Sequence, residues 1–385
     1  MGVTLRVRVY SGSLTDCTTP KMVVLLPIIS YWSIMNPKIF LLTGWLSLTI
    51  YSTVAQTTYP TIGQIVRVDP RLDKLILKDA RIEVLATGFM WTEGPVWVRN
   101  RDGRPAGAGS SASQPGEYLL FSDVPQNTIF KLTEKEGVTT FLKPSGYTGV
   151  GTYGDEPGSN GLTIDAQGRL IACEHGDRRV SAMPLNGGGG KLTLADNYNG
   201  KRFNSPNDVV AHRDGSYYFT DPPYGLPKKE KDPIRETDGF GVYRIAPTGK
   251  VTLITNELTR PNGIALSPDQ KTLYVAQSDP ERPVIMAYPL LADGSAGKGR
   301  AVFGAEGLKK QGLAGGFDGM KVDRDGNLWA TGPGGVLVLS PAGEFLGHIN
   351  IGGATANCAW GDDGSTLYIT ADMYLCRLKT TTGGW

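Results

Sequence analysis

Six times along the chain a polar residue opens a short apolar strand, and a turn rich in Asp, Gly or Pro separates that strand from a second one. The copies read Glu93-Gly-Pro-Val-Trp, Asn160-Gly-Leu-Thr-Ile, Asn207-Asp-Val-Val, Asn262-Gly-Ile-Ala-Leu, Asp318-Gly-Met-Lys-Val and Asn357-Cys-Ala-Trp. Their second strands are expected at Tyr118–Asp123, Arg169–Cys173, Tyr217–Thr220, Leu273–Ala276, Leu328–Thr331 and Leu367–Thr370. A repeat of roughly 40 to 55 residues suits a four-stranded unit arrayed around an axis better than a solenoid of shorter repeats. The chain is therefore expected to be all-β, a six-bladed β-propeller with four-stranded blades and a central metal site.

In such a ring the six polar residues occupy equivalent positions and face one channel. Asn and Asp at strand starts also cap turns, and a single Asn-Gly pair would be read that way. Turn capping gives no reason for Glu93 and Asp318 to stand in the same phase as the asparagines. Two carboxylates and four amides form an almost all-oxygen donor set, which suits a hard divalent cation; Ca²⁺ is favoured, with Mg²⁺, Mn²⁺ or Zn²⁺ as alternatives.

With 51 Gly and 25 Pro among 385 residues, the composition fits many strands and tight turns. Lys and Arg number 39 against 37 Asp and Glu, a net +2, so no global field draws nucleic acid to the surface. The four cysteines, at 17, 173, 358 and 376, form no C-x-x-C pair, and three scattered histidines give no zinc spacing. There is no G-x-S-x-G elbow.

The apolar run from Ile39 to about Ala55, ending Ser52-Thr-Val-Ala-Gln56, reads as a secretory signal over residues 35–55, with residues 1–34 as a non-native or unstructured extension. Residues 56–80 form a lead-in and 81–385 the propeller. The expected location is periplasmic or secreted, with no stable membrane association once the signal is removed. Two stretches interrupt the repeat: a Gly/Ser-rich insertion from Arg99 to Gly116, and a charged loop from Pro227 to Gly239, read either as a solvated loop or as a rim over the channel that positions Tyr224. The ring closes either by pairing a segment within residues 56–80 with the last strand, Tyr374–Leu378, or without it.

Taken together, Thr92-Glu-Gly-Pro-Val-Trp97, Ser159-Asn-Gly-Leu-Thr-Ile-Asp165, Cys173-Glu-His-Gly176, Asn204-Ser-Pro-Asn-Asp208, Phe219-Thr-Asp-Pro-Pro-Tyr-Gly225, Arg260-Pro-Asn-Gly263 and Asp318-Gly-Met-Lys-Val322 closely resemble the senescence-marker-protein/gluconolactonase family, within it the microbial gluconolactonase branch. The resemblance spans roughly residues 80 to 378. It implies a divalent cation held by Glu93, Asn207, Asn262 and Asp318, with Asn160 and Asn357 as nearby or substrate contacts. It also implies hydrolysis of a small-molecule sugar lactone, with D-glucono-1,5-lactone opened to D-gluconate. Asp318 is the first candidate base, with His175 and a cation-acidified water as alternatives. Arg178 and Tyr224 are candidate substrate contacts. Other readings are a propeller hydrolase acting on another lactone or a phosphotriester, and a non-catalytic sugar-binding propeller. A propeller closes its own core, so a monomer or weak oligomer is expected.

Overall fold

The computed structural model describes residues 58–99, 116–186 and 189–384. The signal segment, residues 1–34 and most of the Gly/Ser-rich insertion of the first blade lie outside the described residues. Six antiparallel sheets, each of four or five strands, account for nearly all of the regular structure. Blade I is Thr92–Val98, Tyr118–Asp123, Thr128–Thr133 and Gly137–Leu142; blade II is Ser159–Ile164, Arg169–Glu174, Arg179–Pro184 and Leu192–Ala195. Blade III is Val209–Ala211, Tyr217–Thr220, Val242–Ile245 and Val251–Thr255; blade IV is Pro261–Leu266, Thr272–Gln277, Val284–Pro289 and Arg300–Gly304. Blade V contains Met320–Val322, Leu328–Gly332, Gly335–Leu339 and Phe345–Asn350, and blade VI contains Asn357–Gly361, Thr366–Ala371 and Tyr374–Lys379. The expected second strands are all present, within a residue of their predicted limits.

Blade VI takes its fourth strand from the other end of the described chain. Ile82–Thr87 pairs antiparallel with Tyr374–Lys379, in register from Ile82 opposite Leu378 to Thr87 opposite Tyr374. Closure thus falls just beyond the lead-in. The lead-in itself supplies Gln64–Arg67, which adds a fifth strand to blade V opposite Gly347–Asn350. It then makes a 3₁₀ turn, Pro70–Lys74, capped by the Asp69 carboxylate, which accepts from the Arg71 amide. That turn drives Leu72 and Ile76, both fully buried, against Trp329, Val336 and Leu346 of blade V and Leu367 and Leu378 of blade VI.

Burial falls from the axis outward. The second strand Tyr118–Asp123 is buried at every position, whereas the outer strand Val251–Thr255 is half-buried throughout. Cores form between blades, as where Cys173 and Val180 of blade II meet Phe203, Phe219 and Tyr243. The three described cysteines are buried there as free thiols. The Asp turns between strands work as expected: the Asp214, Asp269 and Asp363 carboxylates accept from amides two residues on.

Candidate functional site

The six inner strands run side by side around the axis, and their crowding explains the glycine that follows four of the six polar residues. A Cβ on Gly94 would lie 2.0 Å from the Asn160 carbonyl oxygen, one on Gly263 2.0 Å from that of Asp318, and one on Gly319 2.0 Å from the Asn357 side chain. The space is filled by backbone bonds between neighbouring blades: Gly161 N–H donates to Asn207 O (2.7 Å), Gly263 N–H to Asp318 O (3.0 Å) and Gly319 N–H to Ala356 O (2.7 Å). In blades I, II and IV the inner strand slips register at this point, between Glu93 and Val96, Ser159 and Leu162, and Pro261 and Ile264. Such a bulge re-aims the side chain beside it. Hydroxyls on second strands fix the carbonyls in turn, Ser122 on Asn160 (2.9 Å) and Thr220 on Asn262 (2.7 Å).

The result is a polar chamber of about 300 Å³ at the mouth formed by the amino-terminal ends of the inner strands, with Glu93, Asn160, Asn207, Asn262 and Asp318 in its wall. Glu93, Asn160, Asn207 and Asn262 are all buried, and Asp318 keeps part of its surface open. The Glu93 and Asp318 carboxyls are in hydrogen-bonding contact. Burial pushes both upward from the usual carboxylate range; the charge of Asp208 adds to the rise in each, and the Glu93 charge raises Asp318 further.

Asn357, the sixth residue of the phase, lies beneath the chamber. Its amide hydrogen-bonds Glu93 and Asp208, and its Oδ1 accepts from Cys358 N (2.9 Å) and Lys321 Nζ (3.3 Å). Asp208, also buried, accepts from Val209 N (2.9 Å) and Ile264 N (3.3 Å) and is favoured as a carboxylate by Lys321, although burial outweighs these and raises it. These groups form a polar plug across the channel.

Two features of the chamber fit a hard cation. The Oδ1 atoms of Asn160 and Asn262 are buried with no hydrogen-bond partner, an expensive state for an amide oxygen unless something electropositive faces it. The Glu93 charge also disfavours ionisation of Asp318, which a cation between the two carboxyls would reverse. Among the described residues no three His, Cys, Asp or Glu side chains are arranged to hold a metal ion by themselves, so a cation here would rest on the Glu93 and Asp318 carboxylates completed by amide oxygens.

The remaining sequence candidates separate. Tyr224 reaches the chamber and its hydroxyl pairs with that of Ser278; burial pushes the phenol up to about 12. The loop that carries it folds over the mouth, where Lys229 joins the wall and Glu230 pairs with Arg260 (2.7 Å). His175 does not line the chamber. It is fully buried behind the wall, and burial depresses its imidazole to about 4. Arg178 is buried away from the chamber too, its Nε donating to the carbonyls of Phe203 (2.7 Å) and Asn204 (3.2 Å). Glu156 and Ser278 line the chamber although no repeat pointed to them. They sit on connections between strands, where the period carries no information.

Residues 91–372 match the family described as the SMP-30/Gluconolactonase/LRE-like region. A gluconolactonase of Zymomonas mobilis is 42% identical over 331 residues, covering 84% of this chain and 88% of its own. Among solved structures, a gluconolactonase of Xanthomonas campestris superposes with a TM-score of 0.67 at 31% identity, covering 84% of this chain and 99% of its own. A calcium-binding protein of Agrobacterium tumefaciens, regucalcin, shares the fold at a TM-score of 0.59 and 20% identity, over 78% of this chain and 94% of its own. With its blades, its phase of polar residues and these likenesses in agreement, the chain belongs to the SMP-30/Gluconolactonase/LRE-like family.

Proposed function

We propose that the polar chamber opens a sugar lactone, D-glucono-1,5-lactone to D-gluconate in the first instance, with a divalent cation held by Glu93, Asn207, Asn262 and Asp318. The chain is a lactone hydrolase, as its gluconolactonase relatives indicate. The cation and the particular lactone are our own reading. The observation that carries them is the pair of partnerless amide oxygens, Asn160 Oδ1 and Asn262 Oδ1, in the wall that also holds two hydrogen-bonded carboxyls, Asp318 raised by the charge of Glu93.

A bound cation, Ca²⁺ in preference to Mg²⁺, Mn²⁺ or Zn²⁺, supplies positive charge that polarises the lactone carbonyl and stabilises the oxyanion of the transition state. The protein's own groups do the rest. Asp318, the carboxylate with surface open to the chamber, accepts the proton of the attacking water. The Tyr224 and Ser278 hydroxyls and the Asn160 amide offer donors and acceptors to the sugar hydroxyls. The Trp91 indole on one side of the mouth and the Tyr224 loop on the other limit water around the reacting carbonyl.

The test is hydrolysis of glucono-1,5-lactone by protein stripped with chelator and refilled with each of the four cations, spontaneous opening subtracted, beside Asp318→Asn. Turnover restored by a cation and lost in the variant is expected. Turnover that survives stripping would remove the cation from the mechanism, and indifference to a panel of lactones would remove the function.

A further inference from the structure

Glu156 stands in the chamber wall on the connection between blades I and II, facing the same space as Glu93 and Asp318. Its segment is held from two sides. His175 N–H donates to Gly158 O (3.1 Å), Gly176 N–H to Pro157 O (3.2 Å), and Gly158 N–H to Val124 O (2.9 Å). Behind it the His175 imidazole is fully buried, with Nδ1 3.6 Å from Glu156 Oε2. Neither ring nitrogen makes a well-formed hydrogen bond, although the backbone of Glu156 comes close enough to interact with the ring. The niche leaves no slack: a Cβ on Gly225 would meet the His175 side chain at 2.4 Å.

A buried imidazole so weakly paired is costly, more than an apolar side chain filling the same niche would be. The only carboxylate within 4 Å of it, among the described residues, is Glu156. A ring that sits tightly against the back of one chamber-facing carboxyl restricts where that carboxyl can point. Other charged groups around Glu156 are Lys229, which favours its ionised form, Asp155, which opposes it, and Asp318, which the Glu156 charge raises in turn.

We propose that Glu156 is the proton donor to the leaving ring oxygen of the lactone, with His175 as its positioning residue. This rests on the lactone-hydrolase reading. Water adds to the carbonyl carbon as Asp318 takes its proton; the bond from that carbon to the ring oxygen then breaks, and the ring oxygen leaves with the Glu156 proton as a hydroxyl. Solvent exchange returns a proton to Glu156 and removes one from Asp318, so the net reaction is lactone plus water to hydroxy acid. Alkoxides are poor leaving groups, and a positioned acid contributes about 100-fold or more to their departure. Burial pushes the Glu156 carboxyl up to about 7, which keeps a protonated fraction near neutrality, whereas the depressed His175 stays neutral and has no proton of comparable acidity to give.

Leaving-group dependence tests this. Wild type, Glu156→Gln and His175→Asn are compared on lactones of one ring size whose ring oxygen departs either as an alkoxide or as a phenoxide, which needs no proton. Thermal unfolding confirms the fold, and Glu156→Ala replaces Glu156→Gln if the latter does not fold. For Glu156→Gln we expect kcat on alkoxide-leaving lactones to fall about 100-fold and on phenoxide-leaving ones by less than about threefold. His175→Asn gives the same selectivity with a smaller loss, about tenfold. Equal losses on both classes, or none, overturn the proposal while the hydrolase reading stands. A wild type inactive on every lactone overturns that reading and the proposal with it.

Discussion

The channel has two mouths of similar size and opposite chemistry. The chamber of about 300 Å³ at the amino-terminal ends of the inner strands is walled by three carboxylates, Glu93, Glu156 and Asp318, and three amides. The cavity of about 370 Å³ at their other ends is walled mainly by apolar groups, among them Trp97, Leu162, Ile164, Val210, Leu266 and Trp360, with Thr163, Gln270 and Lys321 among its polar members and no carboxylate. The larger space is the one without a donor set. Strand alternation and the plug of Asp208, Asn357 and Lys321 separate the two, so one ring of inner strands presents oxygen at one end and hydrocarbon at the other. On the proposed function, activity follows the donors and not the volume.

The sharpest way to break this comparison is to alter one wall at each end. Asp318→Asn should lower kcat on the substrate lactone by about 1,000-fold, the scale of losing a catalytic base, whereas Thr163→Val in the apolar mouth should change it less than about threefold. Comparable losses from both would dissolve the distinction.

The axis that separates the mouths is open to a steric probe. Gly263→Ala places a Cβ 2.0 Å from the Asp318 carbonyl oxygen, a backbone atom that cannot swing away. Overpacking of this kind costs about 3 kcal/mol, visible in urea unfolding, and should displace Asp318 and reduce activity together. A variant of wild-type stability would mean that the inner strands are less tightly apposed than these distances show.

The pair behind the polar mouth gives a pH signature whose two halves oppose. His175 has a folded value near 4, below its ordinary 6.5, so the unfolded chain binds more protons between these values. Its contribution is full above about 6.5 and is lost as pH falls toward 4. Glu156 is raised from 4.5 to about 7, so its contribution is full below about 4.5 and is lost as pH rises through 7. The other raised carboxyls, Glu93, Asp208, Asp221 and Asp318, act alike in every variant, so the differences from wild type carry the signature: relative to wild type the stability of Glu156→Gln should rise between pH 4.5 and 7, and that of His175→Gln should fall between pH 4.5 and 6.5, by at most about 2 kcal/mol. Urea unfolding at these pH values reads both slopes; parallel slopes in the two variants would contradict the assignment.

The smallest effect is expected at the rim. Ser278→Ala removes the partner of the Tyr224 hydroxyl and should raise KM about threefold with kcat nearly unchanged, since it loses one binding contact. A large fall in kcat instead would move this pair into the chemistry.

Much of the fold was legible because the axis imposes a period. Glu93, Asn160, Asn207, Asn262, Asp318 and Asn357 recur in one phase, and the glycine beside four of them reads locally as a turn signal. The structure gives that glycine another reason, the absence of room for a Cβ between inner strands. What lay outside the period was not legible. Glu156 and Ser278 come from connections whose lengths differ between blades, and the closing strand Ile82–Thr87 is recognised only by pairing with a segment almost 300 residues away. His175 and Arg178 stood out as polar residues in a distinctive motif, yet their side chains turn into the inter-blade core. Motif membership marks a residue as special without saying which side of the wall it faces.

The central claim is that the polar mouth holds one divalent cation between Glu93, Asp318 and the amide oxygens. Calorimetric titration of Ca²⁺ into metal-free protein, wild type beside Glu93→Gln, tests it without reference to turnover. The account predicts one site per chain in the wild type, weakened at least about tenfold in the variant. No saturable binding of Ca²⁺, Mg²⁺, Mn²⁺ or Zn²⁺, or binding untouched by the substitution, would contradict it.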